Sequence, residues 1–404
     1  MYYTTIFGQS KYFYDIPLKA DVKTILQKLA TLKKQKCACV VPKSWNLTQR
    51  EHEQLTQAFD KLVPGSEPGI RMLFDFNKYI PGAICMAHSL KVSGTKYPIY
   101  CLVTNDVGKK GRDMLRLAFD VVLEVPSLKF KTRLLQTKKQ EEIYGSWIEE
   151  SFTKYNGLTL TEYKKVIHLD ADVIVTKNLD HLFDLKAPAA AFVNVWVEKN
   201  GGKYKNYKHN GQIVPSLMKR ILQDGFTCSG HLLVLEPNRK EYDELVDYLQ
   251  ENQPINLGNC ISGFDEQVLS YFYSIVKNKT WTHLDHTYNY ILWHAKTLQR
   301  LLHMPPDQML APKIIHFFNV EKPWQMPRNL YDDVPIWWQM MSDFISSSSS
   351  SCAALTTLVS SLGQDKLGKI EKTCPYCKSI EGLVSLQLDQ HPFVKEGKIT
   401  CWRV

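Results

Sequence analysis

Between about residues 70 and 345 the chain alternates short apolar runs with longer stretches of helical period. The runs at 71–74, 99–103, 121–123, 166–169, 232–235 and 313–317 have the length and composition of buried strands. Between them, 83–92, 111–119, 146–162, 238–250 and 265–276 carry the helical pattern. Repeated strand–helix alternation predicts an α/β fold, a sheet covered on both faces with ligands at the carboxyl ends of its strands.

Outside this region the pattern changes. Residues 1–68 form an N-terminal extension, partly helical with Ile25, Leu29 and Leu32 at helical spacing, that ends in the loop signal Val63-Pro64-Gly65-Ser66. The six serines Ser346 to Ser351 bury too little apolar surface to offset ordering, so they predict a linker. Three parts follow: 1–68, a main domain at 69–345, and a tail at 346–404.

Composition narrows the class. With 404 residues, 44% hydrophobic and 23% charged, the chain has the make-up of a globular protein with a sizeable core. The net charge of +9 comes from dispersed lysine clusters such as Lys109-Lys110 and Lys164-Lys165. Dispersed lysines do not indicate nucleic-acid binding, whereas a basic surface suits an anionic small substrate. Ten cysteines are scattered without a disulfide framework, no run reaches the length of a membrane span, and the N-terminus lacks a signal-peptide pattern. A cytoplasmic location is expected.

The chemistry concentrates at Val166-Ile167-His168-Leu169-Asp170-Ala171-Asp172-Val173. In an extended backbone Asp170 and Asp172 point to the same side and Ala171 to the other. Two carboxylates at a strand end, with no thiolate nearby, suit Mn2+ or Mg2+ better than zinc. Downstream, Ile314-Ile315-His316-Phe317-Phe318-Asn319-Val320-Glu321-Lys322-Pro323-Trp324 again sets a polar residue at the end of an apolar run.

Together the two segments resemble the signature of glycosyltransferase family 8, an aspartate-x-aspartate after a strand and a later His-x-x-Gly-x-x-Lys-Pro-Trp. The resemblance extends through Asn77-Lys78-Tyr79-Ile80-Pro81-Gly82-Ala83, Phe152-Thr153-Lys154-Tyr155, Asn178-Leu179-Asp180-His181-Leu182-Phe183, Cys228-Ser229-Gly230 and Gly263-Phe264-Asp265-Glu266. It implies a single GT-A type nucleotide-sugar-binding domain, a Rossmann-like mixed sheet flanked by helices. It also implies metal-dependent transfer of a hexose, with retained configuration, from a UDP-sugar, UDP-glucose foremost, to a protein, glycan or polyol. Self-glycosylation, galactinol-synthase-like transfer to a polyol and a catalytically silent binding scaffold are the alternatives. By the same resemblance Asp170, Asp172 and His316 hold the metal, while Asn77, Tyr79, Ala171, Asn319 and Lys322 join the aspartates around the donor. Asp265 and Lys154 act at the sugar. The chain departs from the family at Asn319 for glycine, Cys228 for asparagine and Glu266 for glutamine.

Two expectations concern partners. Cys374, Cys377, His391 and Cys401 have the ligand types of a structural Zn2+ site, with unpaired thiols as the competing reading. A homodimer is the expected assembly, with an unknown acceptor as the second substrate.

Overall fold

The computed structural model describes residues 1–6, 79–133, 135, 145, 147–192, 209–255, 264–291, 312–318, 322–325, 333–348 and 353–362. Among these, ten strands occur: β1 Tyr2–Ile6, β2 Ile99–Val103, β3 Val121–Glu124, β4 Val166–Leu169, β5 Val173–Val175, β6 Ala189–Phe192, β7 Gln212–Ile213, β8 Cys228–Leu235, β9 Trp281–Leu284 and β10 Ile314–His316. The helices are α1 Ile80–Val92, α2 Lys109–Leu115, α3 Pro215–Gln223, α4 Arg239–Glu251, α5 Phe264–Tyr271, α6 Val334–Ser347 and α7 Ala353–Leu362, with a 3-10 segment at Ile148–Thr159.

Eight strands form one mixed sheet in the order β3-β2-β1-β4-β8-β6-β9-β7. Strands β3, β2, β1 and β4 run parallel, and β8 is antiparallel to both β4 and β6. Strand alternation splits the buried residues into two cores. Tyr2, Cys101, Ile167, Leu169, Leu232 and Val234 belong to the core that includes residues of α1, α2, α6 and α7. Tyr3, Leu102, Val166, Leu233 and Leu235 belong to the core that includes residues of α3, α4, α5 and the 3-10 segment. The sheet is therefore covered on both faces, as the alternation predicts.

The start of the N-terminal extension belongs to the sheet. Tyr2–Ile6 is an interior strand of the sheet, paired on one side with β2 and on the other with β4. Its aromatic and β-branched residues suit a strand buried on both faces, and five residues carry too little period to be distinguished in an extension. The Tyr2 hydroxyl donates to Asp180 Oδ1 at 2.9 Å, and the Tyr3 hydroxyl donates to the Lys154 carbonyl at 2.9 Å. The strand expected at 71–74 and the helix around Ile25 lie outside the described residues.

Residues beyond 345 also contribute to the helices and the core. Ser346 and Ser347 complete α6, their hydroxyls donating to the carbonyls of Ser342 and Phe344. Helix α7 then buries Leu355, Leu358 and Leu362 in the first core. A chain ending at Ser347 loses three leucines worth about 1.5–3 kcal/mol each on full burial. Its urea midpoint is expected to fall well below that of a chain ending after Leu362. Equal midpoints would restore a boundary before the serine run.

Candidate active site

Strand β4 runs into the sheet interior and stops at Asp170, whose N–H donates to the His231 carbonyl of neighbouring β8 at 2.9 Å. The chain then turns through Ala171 into β5, which pairs antiparallel with β10 so that Val173 faces His316. The Phe317 N–H donates to the Asp172 carbonyl at 2.9 Å and closes this pairing. Two strand ends far apart in sequence thus place Asp170, Asp172 and His316 together. One ligand atom from each lies within 4.8 Å of the others.

The donor set fits a hard divalent cation. Two carboxylate oxygens and one imidazole nitrogen converge, and the His316 Nδ1 is engaged at 2.8 Å by Asn289 Oδ1, which leaves Nε2 on the side of Asp172, 3.7 Å from Oδ1. Burial holds His316 below its ordinary pKa, which favours the neutral ring.

Two buried lysines flank the carboxylates. Lys322 donates to Asp172 Oδ2 at 2.7 Å and to the Phe317 carbonyl at 2.9 Å. Lys154, 9% exposed on the 3-10 segment, lies 2.9 Å from Asp265 Oδ2 and 3.5 Å from Asp170 Oδ1. Burial disfavours the Lys154 charge, but Asp170 and Asp265 outweigh it and push the ammonium above its ordinary value. Burial likewise works against Asp170, and Lys154 with the His168 hydrogen bond at 2.9 Å holds its carboxyl well below the usual range. Lys154 therefore links Asp170 to the first turn of α5.

That turn carries Asp265 and Glu266. The Tyr155 hydroxyl donates to the Asp265 carbonyl at 2.6 Å, and Glu266 Oε1 accepts the Gly230 N–H at 2.6 Å. A side chain on Gly230 would crowd Glu266 Cγ at 3.0 Å and Lys154 Nζ at 3.2 Å, so a residue without Cβ lets both approach. Burial, reinforced by Asp265, pushes Glu266 up to about 8. As pH rises from about 4.5, an unfolded Glu266 ionises while the folded one resists until about 8, so folding stability falls through that window. In chelator-treated protein, Glu266→Gln is expected to raise the urea midpoint at pH 8 and leave it unchanged near pH 4. A pH-independent difference would remove this account of Glu266.

Helix α1 and the loop at 322–325 meet beside Ala171. Gly82 packs so close to the Ala171 carbonyl that a Cβ would sit 2.5 Å from it and 2.4 Å from Trp324. Tyr79 meets Trp324 edge-on with ring centroids 6.0 Å apart, and burial followed by the charges of Asp172 and Asp170 raises its phenol. Trp338 of α6 donates to the Pro323 carbonyl at 3.1 Å and anchors the loop that presents Lys322.

The structure thus assembles Tyr79, Ala171, Asp170, Asp172, His316, Lys322, Lys154 and Asp265 in one place. Asn77, Asn319 and the tail residues Cys374, Cys377, His391 and Cys401 lie outside the described residues. The sequence pattern assigns no role to His168, Tyr155, Ser229, His231 or Asn289. Each is a buried polar residue in an apolar or aromatic stretch, where periodicity carries no signal for a partner far along the chain. Tyr288 and Tyr290 are 0% and 1% exposed, so neither offers its hydroxyl as an acceptor in this conformation.

The family model described as "Glycosyl transferase family 8" matches residues 70–327. The chain belongs to that family. This glycosyltransferase has the GT-A type sheet that its sequence predicts. It is 28% identical over 258 residues to Uncharacterized protein R707 of Acanthamoeba polyphaga mimivirus, covering 63% of the chain and 81% of that protein. It is 24% identical to Galactinol synthase 7 of Arabidopsis thaliana, covering 74% of the chain and 88% of that protein. Glycogenin of Neurospora crassa is also 24% identical, over 64% of the chain but only 33% of its own length. Among solved structures, an active-site mutant of LgtC superposes with a TM-score of 0.45 at 13% identity, covering 69% of this chain and 96% of that one. Among the described residues no helix is long and apolar enough to cross a membrane.

Proposed function

We propose that this family 8 glycosyltransferase moves a hexose from a UDP-sugar, UDP-glucose foremost, with retained configuration and with Mn2+ or Mg2+ held by Asp170, Asp172 and His316. The convergence of these three ligands at the ends of β4 and β10 carries the reading. A bound divalent ion supplies Lewis-acid stabilisation to the departing diphosphate.

The protein's own groups do the rest. Lys322 donates to Asp172, which would also help hold the ion, and adds positive charge on the leaving-group side, where negative charge grows in the transition state. Tyr79 and Ala171 contact the nucleotide and diphosphate, and the family resemblance assigns Asn77 and Asn319 to the same donor. Asp265 presents a carboxylate to the donor sugar, and Lys154 holds it against the Asp170 side of the site. Buried walls around both lysines exclude water and strengthen these interactions.

The buried Tyr288 and Tyr290 disfavour self-transfer at those positions, and the match over 88% of a galactinol synthase supports a polyol as readily as a glycan. Purified protein incubated with UDP-glucose and Mn2+ is expected to release UDP, faster with a polyol or glucan present, and to stop in excess chelator. Undiminished release in chelator would overturn the metal assignment.

A further inference from the structure

A chain of hydrogen bonds behind His316 sets which of its nitrogens is bare. It begins at a backbone carbonyl, that of Tyr288, which can only accept. His231 Nε2 lies 2.7 Å from that oxygen and so carries the hydrogen. His231 is 1% exposed and, among the described residues, no carboxylate pairs with it, so the ring is neutral and its Nδ1 has a lone pair. Ser229 Oγ, 2.7 Å from that Nδ1, donates to it.

The serine oxygen is then free to accept. Asn289 Nδ2 donates to it at 3.3 Å, which orients the amide with Oδ1 turned toward His316. At 2.8 Å, Oδ1 takes a hydrogen only from His316 Nδ1. The remaining nitrogen, Nε2, is left as an acceptor on the Asp172 side.

Backbone pairing fixes the two ends. The Tyr290 N–H donates to the Ile314 carbonyl at 3.0 Å, and the His316 N–H donates to the Tyr290 carbonyl at 2.9 Å, so Asn289 cannot drift from His316 without breaking β10. The His231 ring stacks on His316 with centroids 4.6 Å apart and planes within 17°, and blocks rotation of the imidazole.

We propose that Asn289 is a positioning residue that, through Ser229 and His231, holds His316 in the tautomer whose Nε2 can bind a divalent cation. The proposal rests on the metal-site reading above. Partners of this kind change metal affinity by about 10- to 100-fold when removed.

The test compares wild type, Asn289→Leu, Asn289→Asp and Ser229→Ala by Mn2+ titration, with long-range 1H–15N spectra of the apo proteins to read the His316 tautomer. Asn289→Leu is expected to weaken Mn2+ binding about 10- to 100-fold and to mix the tautomers. Asn289→Asp keeps an acceptor at the same place and is expected to bind within a few-fold of wild type. Ser229→Ala is expected to fall between them. Leucine binding as tightly as wild type, or aspartate as weakly as leucine, would overturn the proposal. Should Asn289→Leu fail to fold, the wild-type spectrum still decides, because a hydrogen on His316 Nε2 in the apo protein contradicts the network. A wild type that binds no Mn2+ would instead defeat the metal-site reading while leaving the spectral test standing.

Discussion

Asp172→Asn is expected to cut Mn2+-dependent UDP release by at least about 100-fold, because on the function proposed above it removes one of two carboxylates from the Asp170–Asp172–His316 cluster. Stability should also change. Lys322 is 6% exposed and donates to Asp172 Oδ2 at 2.7 Å, so the substitution leaves a buried ammonium with the Phe317 carbonyl and a neutral amide. Losing a charge-assisted bond of this kind costs about 1–3 kcal/mol. Urea denaturation measured beside UDP release separates the two effects. Activity within tenfold of wild type at saturating Mn2+ would sink the ligand role of Asp172. A purely structural aspartate would lose stability and little else once the folded fraction is accounted for.

Lys154→Met should have the largest effect on stability. The ammonium sits between Asp265 at 2.9 Å and Asp170 at 3.5 Å, with Lys154 and Asp265 both buried, and no second cation among the described residues forms an ion pair with either carboxylate apart from His168 beside Asp170. Breaking a buried pair by removing one partner costs about 3–5 kcal/mol, since the remaining charge is uncompensated. The pH dependence follows from Asp170. Its folded pKa lies below its ordinary 3.8, so its stabilisation is present above about 3.8 and is lost as pH falls through the folded value. The gap between wild type and Lys154→Met is therefore expected to narrow in acid, where the stranded carboxylates of the variant take up protons. A gap that is constant from pH 7 to pH 3, or under about 1 kcal/mol at pH 7 as for an exposed pair, would return Lys154 to an ordinary helix-face lysine.

Of the two residues, Asp172 stands out by local pattern and Lys154 only by the family resemblance, and the reason is physical. A carboxylate at the end of an apolar strand is visible in sequence because burial of the strand and exposure of its end oppose each other within a few residues. Asp170, Asp172 and His316 all share that pattern, at the ends of β4 and β10. Five of the expected strands were likewise legible as apolar runs. The 3-10 segment at Ile148–Thr159 and the division of 265–276 into α5 and a wider turn at Phe272–Val276 were not, because helical periodicity does not distinguish neighbouring hydrogen-bond patterns.

By itself, the order of apolar and polar residues determined the α/β class and marked the strand end that carries Asp170 and Asp172, since each depends on neighbours along the chain. Tertiary structure alone decided what depends on neighbours across it. Tyr2–Ile6 became an interior strand because β2 and β4 offered it two edges, and α7 joined the core because three leucines found a surface on that side of the sheet. Lys154 took its place because the Tyr3 hydroxyl and Asp265 meet it from distant segments, and the tautomer of His316 follows from a carbonyl 28 residues away, at Tyr288. Hydrogen bonds and ion pairs act over a few ångströms in space, and no period along a sequence encodes which two segments will come that close.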